Sequence, residues 1–406
     1  MNIGIVTTWF ERGAAYVSRQ YKDVLEKDHS VFIFARGGEK QAKNDPEWDS
    51  PEVFWAKRFF RDSTEIDLKE FRKWVDSNKI ELIIFNEQRW YDVLLYCRKN
   101  KIICGSYIDY YTEETIPLFG LFDFLICNTQ RHLSAFDWHP QAFYIPWGTD
   151  LKLFKPNPGS QEDNYTTFFH SAGVAPHRKG TEQLIYAFKG MEHKDSKLIL
   201  HTQIDLIKLI PEAIDVIEDL IFENRLEIIN RTVPAPGLYH MGDVYVYPSH
   251  LEGIGLTMPE ALSCGLPLIT VDYPPMNEFV DPTISKAVSV SKIYSRVDGY
   301  YWPKNNVNID DLSMVMDSYC ISRQELNKLK EKARNYAEEY LNWEKNSSIL
   351  LKKLGSIGIV DDSVKDRAER HLDNYKKKHK RNFKTLIRDY FPSVYSIIRN
   401  LLKKEK

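Results

Sequence analysis

The sequence predicts two α/β domains in tandem, each a doubly wound parallel sheet with helices on both faces. Short apolar runs rich in β-branched and aromatic residues alternate with longer amphipathic stretches, which is typical of parallel strands joined by helical crossovers. This alternation stops at a polar stretch near the middle of the chain and then starts again. With 406 residues, the chain is long enough to bury two separate cores.

Six apolar runs predict the strands of a first domain, residues 1–150. They lie at 3–6, 31–35, 82–85, 102–105, 124–128 and 143–146. Amphipathic helices are predicted between several of them, as at 15–27 and 67–78. The start of the chain, MNIGIVTTWF, is too short and polar-flanked for a signal peptide, and we interpret it as the first strand.

Five further runs predict a second domain, residues 151–356, after a polar, proline-bearing linker at about 150–164. They lie at 166–173, 197–202, 226–230, 243–249 and 267–272. Residues 322–356 are predicted to be helical, with the last helices free to cross back to the first domain. Ligands of such sheets bind at the carboxyl ends of the strands, so we expect the site in a central cleft between the domains.

The composition excludes several classes of function. The net charge of −2 gives no indication of nucleic-acid binding, and no nucleic-acid partner is expected. The five cysteines show no CxxC or zinc spacing, which indicates reduced thiols in a cytoplasmic protein. The sequence contains no GxGxxG fingerprint and no recognisable metal-ligand motif, so neither a nicotinamide cofactor nor a metal is expected.

The stretch EGIGLTMPE at 252–260 carries a glutamate at each end, between a strand-like run and a helix predicted to begin near Leu256 or Thr257. The free N–H groups and the dipole of a helix N-terminus attract an anion such as a diphosphate. Gly253 and Gly255 would let the backbone approach it closely. Two glutamates beside a diphosphate would repel it unless they bind hydroxyls. The expected ligand therefore has sugars on both sides of a diphosphate.

A purely structural interpretation of the same residues stays open. The letters TMPE also fit a capping box, with Thr257 as the N-cap and Glu260 three residues into the helix. In that case Glu260 would stabilise the helix and bind no ligand.

A longer segment, YPSHLEGIGLTMPEALSCGLPLITVD at 247–272, resembles the strand–loop–helix–strand signature of the family-four retaining glycosyltransferases, a branch of glycosyl transferases group 1 with the two-domain GT-B fold. Three other segments resemble the same family. They are TWFERGAAYVSRQYKDVL at 8–25, IPWGTDLKLFKP at 145–156 and SAGVAPHRKGTEQLIYAF at 171–188. The resemblance covers roughly residues 1–350 and is stronger in the second half.

The resemblance implies roles for individual residues. Glu252 would contact hydroxyls of the transferred sugar, and Glu260 those of the ribose. Lys179, helped by Arg178, would neutralise the diphosphate leaving group without a metal or other cofactor. The remaining donor-side positions are Gly173, Ser249, Gly255, Leu256 and Thr257, with Arg231 and Val233 beside the nucleobase. Gly13 and Ala14 would lie on the acceptor side.

The chain departs from the family pattern at several positions. Val174 stands where an arginine is frequent, Trp147 where an asparagine is usual, and YPPMNE leads to Glu278 where a glycine pair is frequent. Many members carry a histidine in the stretch corresponding to 106–114, which has none here. We take Asp109 as its substitute, and a surface or capping aspartate as the alternative.

The resemblance thus implies a cytoplasmic, retaining, metal-independent enzyme of polysaccharide biosynthesis. It would transfer a sugar from a UDP- or GDP-linked donor, a nucleotide diphosphate sugar, to a hydroxyl of a glycan or lipid-linked acceptor. Two alternatives stay open: a GT-B-fold sugar-nucleotide epimerase or hydrolase, and a degenerate, non-catalytic binding subunit.

Residues 357–406 are predicted to form a basic amphipathic helical tail. Residues 376–406 contain eleven lysines and arginines against two acids, with apolar residues at helical spacing. Such a segment fits peripheral attachment to an anionic membrane surface. The alternative is a solvated charged helix.

Overall fold

The computed structural model of the chain describes residues 1–11, 13–36, 42–57, 64–157 and 165–379. Seven strands form a first sheet, and every neighbouring pair in it is parallel. They are β1 (Asn2–Thr7), β2 (Ser30–Ala35), β3 (Val53–Trp55), β4 (Leu82–Asn86), β5 (Ile103–Tyr107), β6 (Phe124–Cys127) and β7 (Ala142–Tyr144). Their order across the sheet is β3-β2-β1-β4-β5-β6-β7.

Six strands form a second parallel sheet. They are β8 (Thr166–Gly173), β9 (Ser196–Thr202), β10 (Leu226–Asn230), β11 (Val244–Tyr247), β12 (Leu268–Val271) and β13 (Lys286–Val288). Their order is β10-β9-β8-β11-β12-β13. An antiparallel hairpin follows, made of β14 (Val290–Tyr294) and β15 (Lys304–Val307).

The helices of the described residues cover both sheets. They are α1 (Gly13–Leu25), α2 (Leu68–Asn78), α3 (Asp92–Lys99), α4 (Gln130–Ala135), α5 (Thr181–Gly190), α6 (Leu206–Leu209), α7 (Ile214–Phe222), α8 (Thr257–Ser263), α9 (Ile309–Asp317), α10 (Arg323–Tyr340), α11 (Trp343–Leu354) and α12 (Asp362–Lys378). Short 3₁₀ helices lie at Ile116–Leu121, Pro211–Ala213, Tyr239–Met241 and Met276–Phe279. No helix in this part of the chain combines the length and apolar character needed to cross a bilayer.

The predicted fold class is confirmed, and a strand is found at each of the eleven predicted runs. The sequence did not indicate β3, β13, β14 and β15, because β3 and β13 have three residues each and the hairpin is mostly polar. The helical stretch predicted at 322–356 is two helices. The first helix ends at Tyr340, and the side chain of Asn342 caps the next helix by accepting from the Lys345 N–H.

The strand order fixes where a ligand can bind. In each sheet the chain first adds strands to one side and then continues on the other, so the order reverses between β1 and β4 and between β8 and β11. The loops at these two switch points leave the sheet in opposite directions and open a crevice at the carboxyl ends of the strands.

The last two helices, α11 and α12, pack against the first domain. Trp343 at the start of α11 stacks against Trp147, with ring centroids 4.5 Å apart, and also contacts Tyr21 of α1. This contact accounts for a tryptophan at position 147. Lys365 of α12 forms a buried ion pair with Asp123, just before β6. The domain boundaries proposed at 150 and 356 remain predictions.

The first part of the predicted basic tail belongs to α12, whose Ala368 and Leu372 are buried against the first domain. Three of its acids, Asp362, Asp366 and Glu369, contact the guanidinium of Arg98. The rest of the predicted tail, residues 380–406, lies outside the described residues.

Candidate active site

Three of the predicted site residues, Arg178, Lys179 and Glu252, meet at the switch point of the second domain. The loop after β8 carries Arg178 and Lys179, and the loop after β11 carries Glu252. Gly180, which follows Lys179, has a φ of +68°, and a Cβ there would lie 2.1 Å from the Pro248 carbonyl oxygen. Glycine at this position therefore lets the first loop pack directly on the second.

Glu252 is buried at the centre of this cluster, with 8% of its surface exposed. Its Oε1 accepts hydrogen bonds from Arg178, from the Tyr247 hydroxyl at 2.7 Å and from the Ser249 hydroxyl at 2.8 Å. Three donors on one oxygen leave Oε2 to accept from a ligand. Ser249 is fully buried and donates to Glu252. We therefore revise its predicted direct contact with the donor to a positioning role.

Charge around Glu252 keeps it ionised. Burial alone would raise its pKa, but Arg178 and Lys179 hold the pKa below its ordinary value. The pKa of Arg178 is raised, chiefly by Glu252. Lys179 lies with its Nζ 4.9 Å from the centre of the Tyr247 ring, and burial lowers its pKa. The two cations thus lie beside a fixed anion, with Lys179 half-buried.

Glu260 lies in the first turn of α8, where Tyr239 holds its carboxylate. Its Oε2 accepts from the Tyr239 hydroxyl at 2.6 Å. Burial raises the pKa of Glu260 to about 7, although Tyr239 and Lys179 act in the opposite direction. The capping-box alternative is wrong for this structure. The helix starts at Thr257, its N-cap is Leu256, and no side chain caps it.

Other predicted donor-side residues lie around the same crevice. Gly173 ends β8 with a φ of +54°, and Gly255 has a φ of +86°, so both occupy backbone conformations that favour glycine. The Thr257 hydroxyl is buried beside the Tyr245 hydroxyl. Arg231 is exposed and Val233 half-buried, in the segment directly after β10.

Asp109 of the first domain faces this cluster across the cleft. It follows β5, and its Oδ1 lies 3.2 Å from where a Cβ on Gly253 would be. Its charge also contributes to raising the pKa of Arg178. The structure therefore places Asp109 beside the Glu252 loop, and the alternative of a simple surface aspartate is not favoured.

The acceptor-side prediction falls at the start of α1, the loop that follows β1. A Cβ on Gly13 would meet no atom within 4 Å, so the loop borders open space. The Ala14 carbonyl accepts from the Tyr107 hydroxyl at 3.0 Å. Tyr16 lies near Glu260. The pKa of Tyr16 is raised, mainly by burial, and the charge of Glu260 makes a smaller contribution to this rise. Gly13 and Ala14 thus lie on the cleft side of the first domain.

Two further residues join the domains at this site; the sequence analysis missed His132 and named Glu278 only as a departure from the family pattern. His132 of α4 is fully buried and contacts the Gly253 carbonyl oxygen through Nε2 at 3.2 Å. The carboxylate of Glu278 accepts from the N–H groups of Gln130 and Arg131 at 2.7 and 2.9 Å. The position of α4 directly after β6, at the carboxyl edge of the sheet, is the signal that could have indicated His132.

Potential metal ligands among the described residues come together at His193, Asp317 and Cys320, whose ligand atoms lie within 4.8 Å of one another. This group lies beyond the C-terminal end of α5, whereas Lys179 precedes its N-terminal end. Asp317 already accepts from the N–H groups of Glu192 and His193. Its carboxylate thus serves the local backbone, away from the cleft.

Comparisons with known sequences match part of this chain to glycosyltransferases. Residues 155–336 match the family model described as glycosyl transferases group 1. A segment of 106 residues, 25% of this chain, is 30% identical to an uncharacterized glycosyltransferase 335 of Sulfolobus islandicus rod-shaped virus 1. The match spans only 32% of that viral protein's length.

Solved structures share the fold over most of the chain. A glycosyltransferase from Rickettsia africae is 13% identical, covers 88% of this chain and 98% of its own, and has a TM-score of 0.71. Anabaena Alr3699/HepE, solved with UDP and glucose, is 17% identical, with 88% and 100% covered and a TM-score of 0.67. Sucrose-phosphate synthase from Thermosynechococcus elongatus gives the same four values. At these identities the likeness shows the fold alone.

Proposed function

We propose that this chain, whose residues 155–336 match the family model of glycosyl transferases group 1 and which has the GT-B fold, is a retaining, metal-independent glycosyltransferase. It transfers a sugar from a nucleotide diphosphate sugar to a hydroxyl of a glycan or lipid-linked acceptor. The observation that carries the proposal is the group of charges at the second switch point, where Arg178 bonds to Glu252 and Lys179 interacts with both Glu252 and Glu260.

The charges of Arg178, Lys179, Glu252 and Glu260 match the parts of a nucleotide sugar. The diphosphate needs fixed positive charge, which Lys179 and Arg178 supply. The free N–H groups in the first turn of α8 add to it. A ribose diol fits Glu260, whose Oε1 remains for a hydroxyl while Oε2 binds Tyr239. Fold relatives bind such ligands, since Anabaena Alr3699/HepE has been solved with UDP and with UDP-glucose.

The chemistry follows from the same groups. The acceptor hydroxyl attacks the anomeric carbon as the bond to the diphosphate breaks, and its proton passes to a departing phosphate oxygen. Lys179 and Arg178 stabilise the charge that grows on that leaving group, and such preorganised contacts are usually the largest catalytic contribution. Attack from the face of the departing diphosphate retains the configuration without a covalent enzyme intermediate.

The two carboxylates nearest the transferred sugar have separate roles. Glu252 stays ionised, and its Oε2 accepts from a sugar hydroxyl. Asp109 lies on the opposite wall beside Gly253, and it orients the incoming acceptor hydroxyl.

A thermal-shift panel tests the proposal directly. Nucleoside diphosphates and their sugar conjugates, UDP- and GDP-linked, are each added in excess to the whole chain. A ligand that binds the folded state at a hundred times its Kd stabilises it by about 2.7 kcal/mol, which raises Tm by several degrees. Stabilisation by one nucleotide and its sugar conjugate supports the proposal, and no shift with any of them contradicts it.

The pKa of Glu260 predicts how nucleotide binding depends on pH. If only the ionised carboxylate accepts the ribose hydroxyls, a pKa of about 7 makes the affinity for UDP-glucose about tenfold weaker at pH 6 than at pH 8. UDP-glucose is the suitable probe because its diphosphate diester does not titrate in this range. Titration calorimetry measures the affinities.

The matched variant is Glu260→Gln. It should bind more weakly at pH 8 by about 1.5–3 kcal/mol, the value of a charge-assisted hydrogen bond, and its affinity should not change with pH. An unchanged affinity together with a lowered Tm would assign Glu260 a structural role only.

We also propose that residues 380–406 attach the enzyme to an anionic membrane surface near its acceptor. The lysines at 376–378 give the end of α12 positive charge, and the sequence after it contains further lysines and arginines. The full chain should sediment with phosphatidylserine vesicles in low salt, and a chain ending at residue 379 should not. Equal sedimentation of both chains, with equal nucleotide binding, would rule the attachment out.

A further inference from the structure

A chain of hydrogen bonds crosses the cleft twice beside the reaction centre. It starts at Trp302, in the loop between β14 and β15 of the second domain, whose Nε1–H donates to the Tyr111 hydroxyl. The Tyr111 hydroxyl lies 2.9 Å from Nδ1 of His132, both in the first domain. Nε2 of His132 then lies 3.2 Å from the Gly253 carbonyl oxygen, back in the second domain.

The direction of every bond in this series follows from its two ends. The Trp302 indole N–H can only donate and the Gly253 carbonyl can only accept, so a neutral His132 donates from Nε2 and its Nδ1 accepts from the Tyr111 hydroxyl. The proton of the neutral imidazole is then on Nε2, where it donates to the Gly253 carbonyl. Burial supports the neutral ring, because it lowers the pKa of His132 to about 3.

The hydrogen-bond series passes close to residues of the proposed reaction at two points. Gly253 directly follows Glu252, and Tyr111 lies two residues after Asp109. The loop between β14 and β15 also bonds to the backbone of Asp109 and Tyr111. The Tyr301 N–H donates to the Tyr111 carbonyl at 3.0 Å, and the Tyr300 hydroxyl donates to the Asp109 carbonyl at 3.3 Å.

Glu252 does not need this chain for its own orientation. Arg178, Tyr247 and Ser249 already fix its carboxylate from within the second domain. What the second domain cannot fix alone is the separation between its Glu252–Gly253 loop and Asp109 on the opposite wall.

We infer that Trp302, Tyr111 and His132 form a polarised hydrogen-bond relay that holds Asp109 and the Glu252–Gly253 loop in register across the cleft, which makes His132 a positioning residue for sugar transfer. The effect on kcat rests on the proposed function, whereas the effect on amide exchange at 253–256 does not. The relay sets geometry at the reacting carbon, so its loss lowers kcat and leaves nucleotide binding to the second domain unchanged.

The test uses Trp302→Phe in the whole chain. This change removes the first donor but keeps an aromatic ring for Arg131, whose guanidinium lies 4.9 Å from the indole centre. Hydrogen–deuterium exchange of the amides at 253–256 should become roughly fivefold faster, as expected from losing about one hydrogen bond. With UDP-glucose, or whichever donor the panel identifies, kcat should fall about tenfold at an unchanged donor KM.

Two further substitutions separate positioning from packing. His132→Gln keeps an N–H that can reach the Gly253 carbonyl, so it should recover part of the kcat that His132→Ala loses. Trp138→Phe, at an indole that is 43% exposed and outside the relay, is the matched control and should change neither readout.

Unchanged exchange at 253–256 in both Trp302→Phe and His132→Ala would overturn the relay. A fall in kcat equal for His132→Gln and His132→Ala would overturn the positioning role of its N–H. Accelerated exchange in a protein whose wild type binds and turns over no nucleotide sugar would overturn the proposed function while the relay stands.

Discussion

Replacing Lys179 by alanine is expected to lower kcat by about 10²–10³-fold, the usual cost of losing one preorganised electrostatic contact to a developing charge. The side chain is half-buried against Tyr247 and lies near both Glu252 and Glu260. Its positive charge is therefore concentrated where the proposed diphosphate departs. Arg178 would replace it only in part, since its Nη1 is already bonded to Glu252 and the Leu251 carbonyl.

Initial rates with saturating donor measure this loss. Lys189→Ala is the matched control, because it removes a lysine from the far end of α5, where its partners are Asp219 and Glu223. The control should keep wild-type rates. Near-normal turnover by the Lys179→Ala protein, with its Tm unchanged, would mean that this lysine does not face the leaving group.

Replacing Glu252 by glutamine is expected to lower kcat about 10- to 100-fold, with a smaller effect on the affinity for the free nucleoside diphosphate. The amide keeps the shape of the side chain but loses the charge that strengthens hydrogen bonds to a sugar hydroxyl. The nucleoside diphosphate has no transferred sugar, so its binding should be almost unaffected. Only a modest loss of Tm is expected, since the Arg178 side chain is 40% exposed and water can solvate it.

Comparing calorimetry of the nucleoside diphosphate with that of its sugar conjugate gives the readout for Glu252→Gln. The control Glu227→Gln changes a glutamate of β10 that pairs with Lys197 at the edge of the sheet. If the variant bound both ligands equally weakly, Glu252 would act on the diphosphate site and not on the sugar.

The elements that the sequence could predict are those determined locally. Continuous apolar runs indicated eleven strands, and the glycine-containing stretch at 252–260 indicated Glu252 and Glu260, whereas Lys179 was implied by the resemblance to the glycosyltransferase family. Their proximity then followed from the rule that ligands bind at switch points. The hairpin of β14 and β15 was not predictable, because most of its residues are polar and form no continuous apolar run.

The parts that depend on distant residues could not be predicted. The capping box of Thr257 and Glu260 fits the local sequence, yet Tyr239, about twenty residues earlier, takes the Glu260 carboxylate. His132 has no motif of its own, since its neighbours Tyr111 and Gly253 come from elsewhere in the chain. Trp147 departs from the family pattern because Trp343 packs against it.

Proton NMR of the anomeric centre of the product, run with and without EDTA, tests the central claim most directly. We expect the configuration of the donor sugar to be retained in a glycoside, at a rate that the chelator does not change, because Lys179 and Arg178 offset the diphosphate charge. An inverted anomeric centre would contradict this account. So would activity that is lost in EDTA and restored by magnesium or manganese, or a free epimerised sugar as the main product.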